Sequence, residues 1–197
     1  RMISAEEARK LAVEIGGATV LKSQVLSGGR MKAGGVKFAD TPEQAAEAAE
    51  FIMQLPIRDQ LPLCVSVEAK ATIAKEYYLG VTYDAIAKLP VMIFSDMGGI
   101  DIEQVAEEHP DHVAKVHFST LMPFSEFKAK ELISSLGIKG SELTQLTGVV
   151  NRLVRVFQQY DMTLAEINPL GQLEDGSIVA LDCHQDMEEE ARDRHQK

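Results

Sequence analysis

The chain has 197 residues, of which 45% are hydrophobic, 6% aromatic and 25% charged. That is enough for one sizeable core or two small lobes, and it excludes a disordered, collagenous or repeat protein. Twenty Lys and Arg against thirty Asp and Glu leave a formal charge of -10, without the basic footprint of a general nucleic-acid binder. The apolar runs are too short to span a membrane, and the first twenty residues read as a charged helix rather than a signal peptide. Two cysteines, Cys64 and Cys183, are too few for a disulfide framework. The expected setting is therefore cytoplasmic, or the mitochondrial matrix in a eukaryote. The opening Arg1-Met2-Ile3 and the closing Arg194-His195-Gln196-Lys197 read as cuts, so a piece of a longer protein is expected.

Ser4-Ala5-Glu6-Glu7 is a capping box, and Ala8, Leu11, Ala12 and Ile15 recur at helical spacing before Gly16-Gly17. Ala18 to Leu26 predicts a strand, residues 27–35 a loop, and Val36 to Phe38 a short strand. Thr41-Pro42-Glu43-Gln44 is a second capping box with Pro at the first helical position, followed by a stripe of Ala45, Ala48, Ala49, Ile52 and Leu55. Strands are expected at Leu63 to Val67, Ile73 to Asp84, Pro90 to Ser95 and Val113 to Phe118. A short helix starts at Asp101 and ends before Pro110. Ser125 and Ser141 are expected to start two more helices, the second carrying Leu143, Leu146, Val150, Leu153, Phe157 and Tyr160 on one face. A strand from Met162 to Asn168, a turn at Glu174-Asp175-Gly176 and a strand from Ser177 to Asp182 close the chain. Three successive strands near the middle look antiparallel, which argues an α+β fold in two lobes.

Four glycines among the nine residues 27–35 allow close approach of backbone N–H groups to an anion, and Arg30 and Lys32 add positive charge. The spacing is neither that of a Walker loop nor that of a dinucleotide fingerprint. A phosphate cover between two strands and a ligand-free hairpin both remain open. Lys22, mid-strand among Val20, Leu21 and Val25, either keeps its head in solvent or reaches an anion. Glu68 and Glu76 border two strands and read as solvated charges, though Glu68, in a hinge between lobes, could accept hydrogen bonds from ribose hydroxyls or a base amine. In Ala165-Glu166-Ile167-Asn168-Pro169-Leu170, Glu166 and Asn168 fall on one strand face, and Asp182 can pair back beside them. Few, hard oxygen donors of this kind suit Mg²⁺. Cys183-His184 lacks the distant second pair of a zinc site.

Together these segments resemble the ATP-grasp domain in the β subunit of the succinyl-CoA synthetase (succinate–CoA ligase) family. The resemblance runs from Val20-Leu21-Lys22-Ser23-Gln24-Val25 through Gly28-Gly29-Arg30-Met31-Lys32-Ala33-Gly34-Gly35-Val36. It continues in Val67-Glu68, Ile73-Ala74-Lys75-Glu76-Tyr77-Tyr78-Leu79-Gly80 and Gly98-Gly99-Ile100-Asp101-Ile102-Glu103-Gln104-Val105-Ala106, and ends in Glu166-Ile167-Asn168-Pro169-Leu170 and Leu181-Asp182. It implies a two-lobed fold holding ATP or GTP between its lobes. It further implies nucleotide contacts from Lys22, Gly29, Arg30, Met31, Glu68 and Glu76, and Mg²⁺ ligation by Asn168 and Asp182. Glu166 would face a histidine loop of a partner α subunit, whose histidine is the one phosphorylated, so none of the five histidines here is expected to be that group. The whole chain, 1–197, would be the nucleotide-binding part of a carboxylate–CoA ligase, with the carboxyl-terminal CoA-ligase domain and the family's extreme amino-terminal helix lacking.

The chain departs from the family at Met31, where a glycine is usual, and at Asp182-Cys183-His184, where a lysine usually follows the aspartate at one remove. Two other readings stand beside the resemblance. One is a ligase acting on another carboxylate, such as malate, or passing acyl phosphate to an amine. The other is a non-catalytic nucleotide-binding module.

Overall fold

A computed structural model describes residues 4–26 and 28–195. The chain divides into two compact units, Arg1–Ala71 and Thr72–Lys197.

Unit 1 comprises α1 (Ala5–Ile15), β1 (Thr19–Gln24), β2 (Val36–Ala39), α2 (Pro42–Met53) and β3 (Cys64–Ala69). The first capping box forms as expected: Ser4 Oγ accepts from Glu7 N at 3.2 Å, and Ser4 N donates to Glu7 Oε2 at 2.9 Å. At the second, Thr41 Oγ1 accepts from Gln44 N, but the Gln44 side chain reaches one residue further back, to Asp40 N. The strands form an antiparallel sheet in the order β2-β1-β3. Small residues let both helices lie close to it, and the core is Ala8, Ala12, Leu21, Ala39, Ala45, Ala49, Ile52 and Val65. β1 shows the period of two directly: Thr19, Leu21 and Ser23 are buried, while Val20, Lys22 and Gln24 alternate on the other face. The strand stops at Gln24, two residues before the expected end, and Leu26 is exposed.

Unit 2 comprises β4 (Ile73–Asp84), β5 (Leu89–Ser95), α3 (Ile102–Glu108), β6 (Val113–His117), α4 (Glu126–Ser134), α5 (Gly140–Gln159), β7 (Met162–Leu173), β8 (Ile178–Ala180) and β9 (Cys183–Met187). Its sheet runs β6-β5-β4-β7-β8, with β9 also paired to β7, and every pairing is antiparallel. One face is covered by α5, whose Leu146, Val150, Leu153, Val154 and Phe157 meet Tyr77, Leu79, Val81, Met92, Phe94, Ala165 and Ile167. α5 begins one residue earlier than expected, with Lys139 at its N-cap, so Ser141 lies inside the helix. β7 continues five residues past Asn168, and the single return strand expected at 177–182 is instead β8 and β9 with Asp182 in the break. Pro169 explains the break, because it has no N–H to give to a ladder. Two bonds bridge the gap, Asn168 N to Asp182 O and Leu181 N to Pro169 O, each 3.1 Å. No helix among the described residues is long and apolar enough to cross a membrane.

Candidate functional site

Each unit gathers a separate set of the candidate residues. In unit 1, Lys22 and Glu68 sit on paired strands, and Lys22 Nζ lies 2.7 Å from Glu68 Oε2. The Lys22 side chain is 12% exposed and that of Glu68 45%, so the lysine stem lies in the sheet surface while its partner reaches water. Ser66 Oγ donates to the other Glu68 oxygen at 3.1 Å. Arg30 is tied back to β1, its Nη1 donating to Ser23 O at 2.9 Å. The glycine-rich loop is a folded turn: Ala33 N bonds Gly29 O, Gly34 N bonds Met31 O and Gly35 N bonds Arg30 O. Gly29 has φ +84°, which a side chain would resist, and Met31 is largely exposed. The structure thus joins Lys22 to Glu68 across β1 and β3, while Arg30 is held against Ser23 of β1 with Gly29 and Met31 in the turn beside it.

In unit 2, β4 presents Tyr77, Leu79 and Val81 to the helices, so Glu76, Tyr78 and Gly80 face the other way. β7 does the same, with Ala165 and Ile167 inward and Glu166 and Asn168 outward. The register of Ile167 with Cys183 and Leu170 with Ala180 puts Asn168 directly opposite Asp182. Asn168 is fixed by the turn after β5: Gly99 N donates to its Oδ1 at 2.8 Å, and its Nδ2 donates to Ile100 O at 3.0 Å. That turn is itself pinned to β4 by Gly98 N donating to Glu76 O at 3.0 Å. A side chain on Gly98 would strike the Tyr77 backbone. Asp182 Oδ1 accepts from Cys183 N at 2.9 Å. Glu166 Oε2 accepts from the Tyr78 hydroxyl at 2.9 Å.

The electrostatics follow from this packing. Burial, then the charge and hydrogen bond of Glu166, push the Tyr78 hydroxyl far up, so it stays a proton donor. Burial likewise pushes the Cys183 thiol up, which the Gln185 hydrogen bond opposes and the charges of Asp182 and Glu166 reinforce, so it is not a ready thiolate. Among the described residues, no three His, Cys, Asp or Glu side chains converge as a metal-holding group. The donors at the β7–Asp182 position are therefore one amide oxygen and one carboxylate. Hard and few, on backbone positions that face each other, they are donors of the kind Mg²⁺ takes alongside waters and phosphate oxygens.

A cavity of about 600 Å³ lies at the start of β4, lined by Lys75, Tyr77, Asp96, Ile138, Lys139 and Glu142, with Glu76 as the one candidate residue bordering it. Burial pushes the Glu142 carboxyl up, but the Tyr77 hydroxyl and the Lys75 ammonium at 2.9 Å outweigh it and leave it below its ordinary value.

Tyr78 and the Gly98-Gly99-Ile100 turn are absent from the sequence-based set. A tyrosine in a Tyr- and Val-rich strand reads as core, and its two-residue offset from Glu76 was the available signal. The paired glycines carry no local sign of clasping a side chain 69 residues away.

With this fold and these two groups of polar residues, the chain belongs to the ATP-grasp family: the family described as ATP-grasp domain matches residues 2–172. Among curated proteins it is similar to succinate–CoA ligase β subunits. The ADP-forming subunit of Rubrobacter xylanophilus is 38% identical over 98% of this chain, and the GDP-forming subunit of Thermus thermophilus is 41% identical over 96%. That of Methanocaldococcus jannaschii is 35% identical over 93%. The chain spans about half the length of these relatives, 50% in each case. Among solved structures, the fold is similar to a dinucleotide-forming acetyl-coenzyme A synthetase 1 of Ca. Korarchaeum cryptofilum, at a TM-score of 0.70 and 22% identity, covering 94% of this chain and 82% of that one. That protein was solved with coenzyme A and Ca-AMPCP. It is also similar to the ATP citrate lyase of Methanothrix soehngenii, at a TM-score of 0.68 and 22% identity, covering 94% and 43%.

Proposed function

We propose that this chain is the nucleotide-binding part of an ADP- or GDP-forming succinate–CoA ligase, and that it exchanges a phosphoryl group between Mg-nucleotide and a histidine on a partner α subunit. The observation that carries this reading is the placement of Glu166, Asn168 and Asp182 together in unit 2, in a chain 35–41% identical to such β subunits across most of its length. Phosphoryl transfer asks a protein chiefly for positioning and charge neutralisation. Lys22 and Arg30 supply positive charge to phosphate oxygens, which an acidic chain needs locally because its overall field repels the nucleotide. Glu68 and Glu76 accept hydrogen bonds from the nucleoside, and Gly29 and Met31 contribute backbone to the phosphate cover. That cover keeps water from the transferring group, since hydrolysis competes with transfer. Asn168 and Asp182 would hold Mg²⁺, which when bound neutralises charge on the phosphate oxygens. Glu166 receives the incoming imidazole of the partner and holds its proton-bearing nitrogen. The remaining half of the relatives' length would carry the CoA chemistry, and the two free cysteines fit a reducing compartment such as the cytoplasm.

The test is to purify the native protein with whatever subunit accompanies it and add radiolabelled ATP or GTP with Mg²⁺. Label is expected on a second subunit as an acid-labile, base-stable phosphate, discharged by succinate with coenzyme A. Label on this chain, or nucleotide bound without any transfer, would overturn the reading. The second result would favour a binding module instead.

A further inference from the structure

We propose that Tyr78 is a positioning residue that holds Glu166 for exchange with the partner's histidine, an inference that rests on the function proposed above. Tyr78 faces an irregularity in β7: Tyr77 pairs with Leu170 and Leu79 with Ile167, so the extra residue lies in β7 while β4 keeps its alternation. That alternation sets the Tyr78 side chain on the Glu166 face of the sheet, where it is 3% exposed. The phenol seat depends on Gly80: a Cβ there would collide with the Tyr78 hydroxyl and ring. The ring lies over Gly80, and from there the hydroxyl reaches Glu166 Oε2 at 2.9 Å.

The surroundings make that bond matter. Asp101 and Glu103 lie near enough to raise the phenol alongside Glu166, and Cys183 feels both Asp182 and Glu166. A glutamate side chain without a fixed donor has several rotamers open to it, and the Tyr78 bond selects among them. A buried hydroxyl that stays protonated is a standing donor to its carboxylate. It ties down one carboxylate oxygen and leaves the second oriented for a histidine nitrogen. Tyr78 touches neither nucleotide nor histidine in this account and acts through Glu166 alone.

The experiment compares Tyr78→Phe, Glu166→Gln and the double variant in the native complex. Tyr78→Phe should slow single-turnover labelling of the histidine about tenfold, equivalent to about 1.4 kcal/mol. Calorimetric Mg-nucleotide affinity should stay within about twofold. In the Glu166→Gln background, adding Tyr78→Phe should change the rate less than about twofold, because both changes break one link. Thermal unfolding of the same four ligand-free proteins should show coupling between the two positions. Gly80→Ala, which displaces the phenol and leaves both partners present, should reproduce the slow labelling. Labelling at the wild-type rate in Tyr78→Phe, or losses that simply add in the double variant, would overturn the inference. So would unimpaired labelling in Glu166→Gln, which removes Glu166 from the transfer while leaving transfer itself intact. Failure of the wild-type complex to label any histidine is the distinct result that defeats the proposed function.

Discussion

Asn168 and Asp182 stand directly opposite one another where β7 meets the return chain, joined by a main-chain bond of 3.1 Å from Asn168 N to Asp182 O. The pairing is made by backbone, so the side chains are not needed to keep the two residues together. Asp182→Ala should accordingly leave the fold intact, with thermal unfolding shifted little. Mg-nucleotide binding, measured by calorimetry, should be lost. Binding of unchanged affinity would remove Asp182 from the metal role.

Lys22 and Glu68 present a different balance. Their ion pair at 2.7 Å joins a shielded ammonium to a half-exposed carboxylate, and pairs open to solvent contribute about 0–1 kcal/mol. Lys22→Ala should therefore cost little stability while abolishing calorimetric binding of Mg-nucleotide. Glu68→Ala should weaken binding less, since it removes a nucleoside contact but also releases the lysine from its carboxylate. Equal losses in the two variants would show that the pair, rather than the lysine, is what the nucleotide needs.

Much of this arrangement was legible in the sequence because it is local. Ser4, Thr41 and Asp101 announce their helices by capping chemistry that spans two or three residues, and the strand alternation around Lys22 and Glu166 needs only a period of two. What escaped is non-local or depends on a missing atom. The bond between Lys22 and Glu68 links residues 46 apart, and Tyr78 meets Glu166 across 88. The division of the last strand at Asp182 follows from an absent N–H on Pro169, which removes a rung without altering the apolar pattern that predicts a strand. Ser141 looked like a cap by residue type, yet the helix starts one residue before it, at Gly140, whose φ of +67° suits glycine, and Lys139 holds the cap place without a side-chain bond.

The β4–β5 turn makes the pH response of unit 2 predictable in sign. The N–H of Ala87, the His117 side chain at 2.8 Å and the N–H of Ile86 hold the Asp84 carboxyl down from its ordinary 3.8 to about 2. A depressed folded-state value means that the stabilisation is complete above the unfolded value and is lost as pH falls through the folded one. Thermal stability should thus hold from neutral pH to roughly pH 4 and decline steadily toward pH 2. Glu142, Asp161 and Asp175, also held low, add to the same decline. Asp84→Asn should be less stable at pH 7 and show a shallower acid decline. An equally steep decline in that variant would assign the acid sensitivity elsewhere.

Gly99 and Gly137 separate the cost of backbone strain from the loss of a site. Both have positive φ, +73° and +81°, so alanine at either position meets a left-handed penalty of about 1–2 kcal/mol. Around Gly137 an added Cβ meets nothing within 4 Å, whereas at Gly99 it lies 2.6 Å from Glu76 Oε2. Gly99→Ala must therefore shift either the Glu76 carboxylate or the turn whose Gly99 N–H and Ile100 carbonyl clasp Asn168. Either movement disturbs a residue assigned to the nucleotide or its metal. The two variants should lose similar thermal stability, but Gly99→Ala alone should weaken calorimetric binding of Mg-nucleotide, by roughly tenfold if one charged or metal-directed contact is lost. If Gly137→Ala weakened binding equally, the loss would be a general consequence of a softer unit 2. If Gly99→Ala bound normally, the clasp on Asn168 would be structural and the metal would have to be held without it.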